Sequence, residues 1–200
     1  MKKWLFLGIL GLMLGYTIYT TMVKNKEADE VEEAETVGKT NVDLKNEVKE
    51  EETKKGDPNE VGLNIGNIAP DFELKVHGGG TKKLSDFRGE PAMLNFWGTW
   101  CPPCQAEMPD MEKFYKDTKM PIVSVNLTRN ESSKNNVPKF IKDYGLTFPI
   151  LLDEKLEVSE LYMVRVIPTT YFLDKEGRIQ AKRLGPMNYE YMKDQYEQLK

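Results

Sequence analysis

FWGTWCPPCQAEMP, residues 96 to 109, holds the only two cysteines of the chain, Cys101 and Cys104, separated by Pro102 and Pro103. A pair set three apart can be a structural staple, part of a metal site, a haem anchor or a redox dithiol. A loop this small removes little freedom from the unfolded chain, so a staple would stabilise little. Structural zinc takes four ligands, and the chain adds one histidine, His77, in a glycine-rich turn far from the pair in sequence. Haem attachment places histidine directly after the second cysteine, where this chain has Gln105.

The redox reading fits the local physics. Pro102 and Pro103 stand where a helix start tolerates missing N–H groups, and Met108, Met111, Phe114 and Tyr115 follow at helical spacing. With Cys101 as the cap, Cys104 falls one turn on, within reach of a disulfide. The partial positive charge of the helix N-terminus favours a thiolate on Cys101 and lowers its pKa from about 8.5. Cys104 points into the domain and is expected to be the less accessible of the two. Cys101 then attacks a target disulfide, and Cys104 resolves the mixed disulfide. Pro109 is expected to bend the helix, because it removes the bond to the Gln105 carbonyl.

Outward from this stretch, PAMLNFW is a short apolar run of the kind that forms a strand buried on both faces. Before it, Phe72 to Leu84 reads as a β-hairpin turning at Gly78-Gly79-Gly80. After the helix, PIVSVNL is a second buried strand, Val137 to Tyr144 a helix stopped by Gly145, FPILLD a brief strand and LEVSELYM a further helix. TTYFLD and RIQAKRLG form strands around Lys175-Glu176-Gly177, and Tyr189 to Leu199 closes the chain as a helix. The order predicts an α/β domain: a mixed central sheet flanked by helices, with an N-terminal hairpin and an insert after the first βαβ unit.

The ends are of different character. From Trp4 to Val23 no residue is charged, long enough to cross a bilayer core of about 30 Å. Residues 1–23 therefore read as an uncleaved signal-anchor helix, with Lys2 and Lys3 cytoplasmic and the rest of the chain outside. A cleaved leader competes with that reading, but the small-residue exit it needs is missing around Tyr19-Thr20-Thr21-Met22. Residues 24–60 carry 13 acidic and 7 basic residues and no aromatic residue, which predicts a solvated tether. Those charges and the two N-terminal lysines account for the whole net charge of −4, so the domain over 61–200 is neutral. A neutral domain without a basic stripe argues against nucleic-acid binding.

NFWGTWCPPC, with Glu107-Met108-Pro109 behind it and Ile167-Pro168-Thr169-Thr170 farther on, resembles the thioredoxin superfamily, in its exported, membrane-tethered ResA/TlpA-like branch. The resemblance covers residues 61–200. It implies a thioredoxin fold, thiol:disulfide oxidoreductase activity without a cofactor or metal, and a cis peptide before Pro168 facing the cysteines. It also implies disulfide-containing exported proteins as substrates, apocytochrome c and envelope or spore proteins among them. A membrane thiol carrier of the CcdA/DsbD type would be the electron donor, and the enzyme a monomer. One departure bears on the chemistry. Thioredoxins place a buried aspartate six residues before the first cysteine, and here that residue is Asn95, which cannot ionise. The branch carries an acid three residues after the second cysteine, which is Glu107 here; the plain alternative is an exposed helix carboxylate. Trp100, Pro102, Ile167 and Pro168 are the expected substrate-facing residues, with Trp97 in the core. Pro168 otherwise reads as a strand-edge residue.

Neither Pro102 nor Pro103 can offer an N–H to the Cys101 sulfur, which leaves the thiolate less stabilised and favours a reductant over a strong oxidant. A dithiol oxidase or isomerase shares these residues and differs in potential. A peroxidase of the peroxiredoxin class would need threonine where Gly98 stands, and a copper-handling or redox-sensing module lacks a nearby histidine or methionine ligand set.

Overall fold

The computed structural model describes residues 56–200. The apolar segment over 1–23 and the tether as far as residue 55 lie outside the described residues, and among the described residues no helix is long and apolar enough to cross a membrane. The strands are β1 (Glu73–Val76), β2 (Thr81–Lys83), β3 (Ala92–Trp97), β4 (Ile122–Asn126), β5 (Ile150–Leu152), β6 (Thr169–Leu173) and β7 (Ile179–Leu184). The helices are α1 (Pro102–Thr118), α2 (Asn136–Tyr144), α3 (Glu157–Leu161) and α4 (Tyr189–Leu199). The strands form one mixed sheet in the order β2-β1-β5-β4-β3-β6-β7.

β3 is central because every one of its residues is buried, so its side chains have apolar partners on both faces. It pairs in parallel with β4 and antiparallel with β6. On one face Met93, Trp97, Ile122 and Phe172 pack with Met108, Met111 and Phe114 of α1, Phe140 of α2 and Met192 of α4. On the other, Leu94, Phe96, Val123, Val125 and Tyr171 pack with Phe72, Val158 and Tyr162. The hairpin and the insert meet: β5 lies parallel to β4 and antiparallel to β1, so the insert supplies the strand that joins the hairpin to the sheet.

α1 runs unbroken through Pro109, whose ring is exposed. Gly145 stops α2 at φ 62°, the left-handed conformation that glycine adopts without a Cβ clash. Residues 56–60, which composition assigned to the tether, bond to the domain. Gly56 N–H donates to the Ile65 carbonyl at 2.7 Å, and the buried Asn67 side chain donates to the Asp57 carbonyl at 2.9 Å. Composition missed this because residues 56–60 attach through backbone N–H and carbonyl groups, which do not depend on side-chain type.

Candidate active site

β3 delivers the chain at its C-terminal end into a turn, Gly98 to Trp100, and then into α1. Cys101 is the N-cap residue, with extended backbone at φ −95° and ψ 107°, and Pro102 and Pro103 occupy the first two helical positions. The Cys101 sulfur accepts the Cys104 N–H at 3.2 Å. The two cysteines are joined as a disulfide, with their Cα atoms 5.2 Å apart. The Cys101 side is less open than expected: Cys101 is 3% exposed against 0% for Cys104. In this oxidised form its sulfur is bonded inward to Cys104 and lies 3.6 Å from the Ile167 carbonyl oxygen.

The Ile167–Pro168 peptide is cis. Pro168 is buried, Ile167 half-buried and Val166 exposed, so this turn sets a backbone carbonyl against the dithiol and an apolar side chain toward solvent. Trp100 is 49% exposed while Trp97 is fully buried, which matches the expected division into rim and core. Pro102 is exposed on the first turn of α1.

Glu107 is not on the helix surface. It is 1% exposed, one turn beyond Cys104, and its side chain points toward the sheet. Asn95 Nδ2 donates to its Oε1 at 3.0 Å, and the Met187 N–H donates to its Oε2 at 3.1 Å. Burial pushes the Glu107 carboxyl up to about 7 from an ordinary 4.5, against the opposing effect of those two donors. An open pocket of about 480 Å³, shared with Asp110, Arg183 and Tyr191, reaches Glu107 from the solvent side. A carboxyl poised near neutrality, one helical turn from Cys104 and lining a pocket open to solvent, can exchange a proton.

Asn95 occupies the place of the missing aspartate and contacts Glu107. Its amide also donates to Thr170 Oγ1 at 3.0 Å, and strand register sets Thr170, Asn95 and Ser124 side by side across β6, β3 and β4. Asn95 was legible in the sequence only as a departure, although an asparagine within an apolar strand run was itself a signal of a buried polar contact. Thr170 and Met187 gave no such signal, because their partner is fixed by sheet register and by the loop before α4.

A model described as the AhpC/TSA family matches residues 65–182. The thioredoxin-like protein YneN of Bacillus subtilis is 44% identical over 140 residues, 69% of this chain and 82% of that protein. The thiol-disulfide oxidoreductase ResA of Geobacillus thermodenitrificans is 40% identical over 136 residues, 68% of this chain and 78% of that protein. The chain belongs to the AhpC/TSA family, among its ResA-like members. The crystal structure of StoA from Bacillus subtilis is similar with a TM-score of 0.58 and 35% identity, covering 64% of this chain and 98% of that one. A thiol:disulfide interchange protein of the DsbE type from Chlorobium tepidum is similar with a TM-score of 0.61 and 30% identity, covering 69% and 99%. The expected fold and enzyme class both hold: the chain has the thioredoxin fold, and it is a thiol-disulfide oxidoreductase.

Proposed function

We propose that this ResA-like oxidoreductase works as a reductant of disulfides in exported proteins, held at the outer side of the membrane by residues 1–23 and tethered by the acidic segment. In the reduced enzyme the Cys101 thiolate attacks one sulfur of a target disulfide. A Cys101–target bond forms as the target's S–S bond breaks, and the first target sulfur leaves as a thiolate. Glu107, as carboxylate, takes the proton of Cys104, whose thiolate then attacks Cys101 Sγ. The Cys101–Cys104 bond forms, the second target sulfur leaves, and two electrons have passed to the target. Trp100, Pro102 and Ile167 form the face on which the target docks, and the buried Pro168 follows Ile167 in the turn that carries it. A membrane dithiol carrier of the CcdA/DsbD type returns two electrons to the pair.

The observation that carries this reading is the burial of Glu107 one turn from Cys104, where the thioredoxin aspartate has been replaced by Asn95. Glu107→Gln keeps the shape and removes the proton acceptor. The expected result is a resolving step at least about tenfold slower above pH 7, with the rise in rate around pH 7 abolished and the fold retained. Rapid-mixing measurement across pH 5.5 to 8.5 checks it; an unchanged rate removes Glu107 from the mechanism.

A further inference from the structure

The turn that presents the cysteines is tied down by a carboxylate from outside α1. Glu131 follows the short 3-10 turn Thr128–Asn130. Its Oε1 accepts the Thr99 N–H at 2.8 Å and Asn126 Nδ2 at 3.0 Å. Its Oε2 accepts the Thr99 hydroxyl and Asn136 Nδ2, the latter at 3.4 Å. Thr99 is also held from α1, where Gln105 Nε2 donates to its carbonyl at 2.7 Å. The N–H, hydroxyl and carbonyl of a single residue, two before Cys101, are thus all engaged.

The consequence passes to the next residue. The Trp100 indole lies over Gly98 so closely that a Cβ there would stand 2.9 Å from the ring, and the Cys101 N–H donates to the Gly98 carbonyl at 3.2 Å. Trp100 is an exposed aromatic ring on a turn that, among the described residues, has Glu131 as its one charged anchor. A carboxylate that accepts both donors of one residue fixes that residue in orientation as well as in place.

We propose that Glu131 is a positioning residue for polypeptide substrates: by fixing Thr99 it sets where Trp100 stands beside Cys101, so a docking chain need not order the ring. The inference rests on the reading that the Trp100 face receives polypeptide disulfides. The thiol chemistry is separate, because the Cys104 N–H that supports Cys101 and the carboxyl of Glu107 both belong to α1. Loss of the anchor therefore adds an ordering cost to polypeptide binding and leaves exchange with a small disulfide alone.

The test compares the reduced full chain with its Glu131→Ala and Glu131→Gln variants, by rapid mixing with a peptide carrying an internal disulfide and with neutral bis(2-hydroxyethyl) disulfide. Glu131→Ala is expected to lower the peptide rate constant about tenfold, the scale of one lost charge-assisted hydrogen bond, and to leave the small-disulfide rate unchanged. Glu131→Gln should recover the peptide rate to within about twofold. Its amide oxygen keeps the Thr99 N–H and Asn126 bonds and its NH₂ donates to the Thr99 hydroxyl, so that of the bonds to Glu131 only the long one from Asn136 is lost. An unchanged peptide rate in Glu131→Ala, an equal fall for both substrates, or no recovery with Gln overturns the proposal. Should Glu131→Ala not fold, Thr99→Val, which removes only the hydroxyl bond, must show the peptide-only loss. Trp100→Ala is run beside them: if it leaves the peptide rate unchanged, the docking reading itself fails, which separates that failure from a failure of Glu131.

Discussion

Glu107 brings a carboxylate to a place where ionising it costs energy, and that cost makes the fold sensitive to pH. Its pKa is raised in the folded chain to about 7 from 4.5. Between those values the folded chain keeps a proton that the unfolded chain has released. The stability linked to that proton is fully present below pH 4.5 and is lost as pH rises through 7. The loss amounts to about 3 kcal/mol if the whole shift is expressed. Glu107→Gln has no such proton to lose. Urea denaturation of the oxidised protein should therefore show the variant gaining on wild type by up to about 3 kcal/mol between pH 4.5 and pH 8. A stability difference flat across that range would mean that Glu107 is solvated as an ordinary carboxylate.

The N-terminus of α1 sets the poise of the dithiol. A capping side chain accepts from the second or third helical N–H. Cys104 is the third and donates to Cys101 at 3.2 Å, while Pro103 is the second and has no N–H to give. Pro103→Ala adds a donor to the thiolate and stabilises the reduced pair. The reduction potential should rise by roughly 30 to 60 mV, the equivalent of one charge-assisted hydrogen bond. Equilibration against a glutathione redox buffer checks it, and an unmoved potential means that the added N–H does not reach the sulfur. The sequence alone treats the two prolines alike; the capping register singles out Pro103. The same distinction divides the site as a whole. The dithiol and the order of strands and helices were legible because they rest on local spacing and hydrophobic periodicity, whereas the turn before Pro168 was expected only from the family resemblance. The contacts of Asn95 with Glu107 and Thr170, and of Glu131 with Thr99, were not, because they join residues 12, 75 and 32 positions apart. Composition also left open which strand the hairpin joins, since β1 pairs with β5 of the insert, far along the chain.

At the scale of the whole molecule, the exchange chemistry belongs to a domain with one core on each face of its sheet. Under the proposed function, the uncharged run from Trp4 to Val23 and the acidic segment after it add place rather than chemistry. Two consequences separate if that division holds. A fragment beginning at Gly56 should reduce a peptide disulfide at the rate of the full chain and remain in the soluble fraction. The full chain should sediment with membranes and stay there through high-salt and alkaline washing, because about 20 apolar residues in a bilayer are not held by charge. The proposed orientation, with Lys2 and Lys3 inside, has the domain facing out. A membrane-impermeant maleimide should then label the reduced cysteines in intact cells, and only after a reductant has opened the Cys101–Cys104 bond. Recovery of a soluble protein that begins beyond residue 20 would replace the anchor with a cleaved leader. Labelling that requires broken cells would reverse the orientation, and with it the proposal that exported proteins are the substrates.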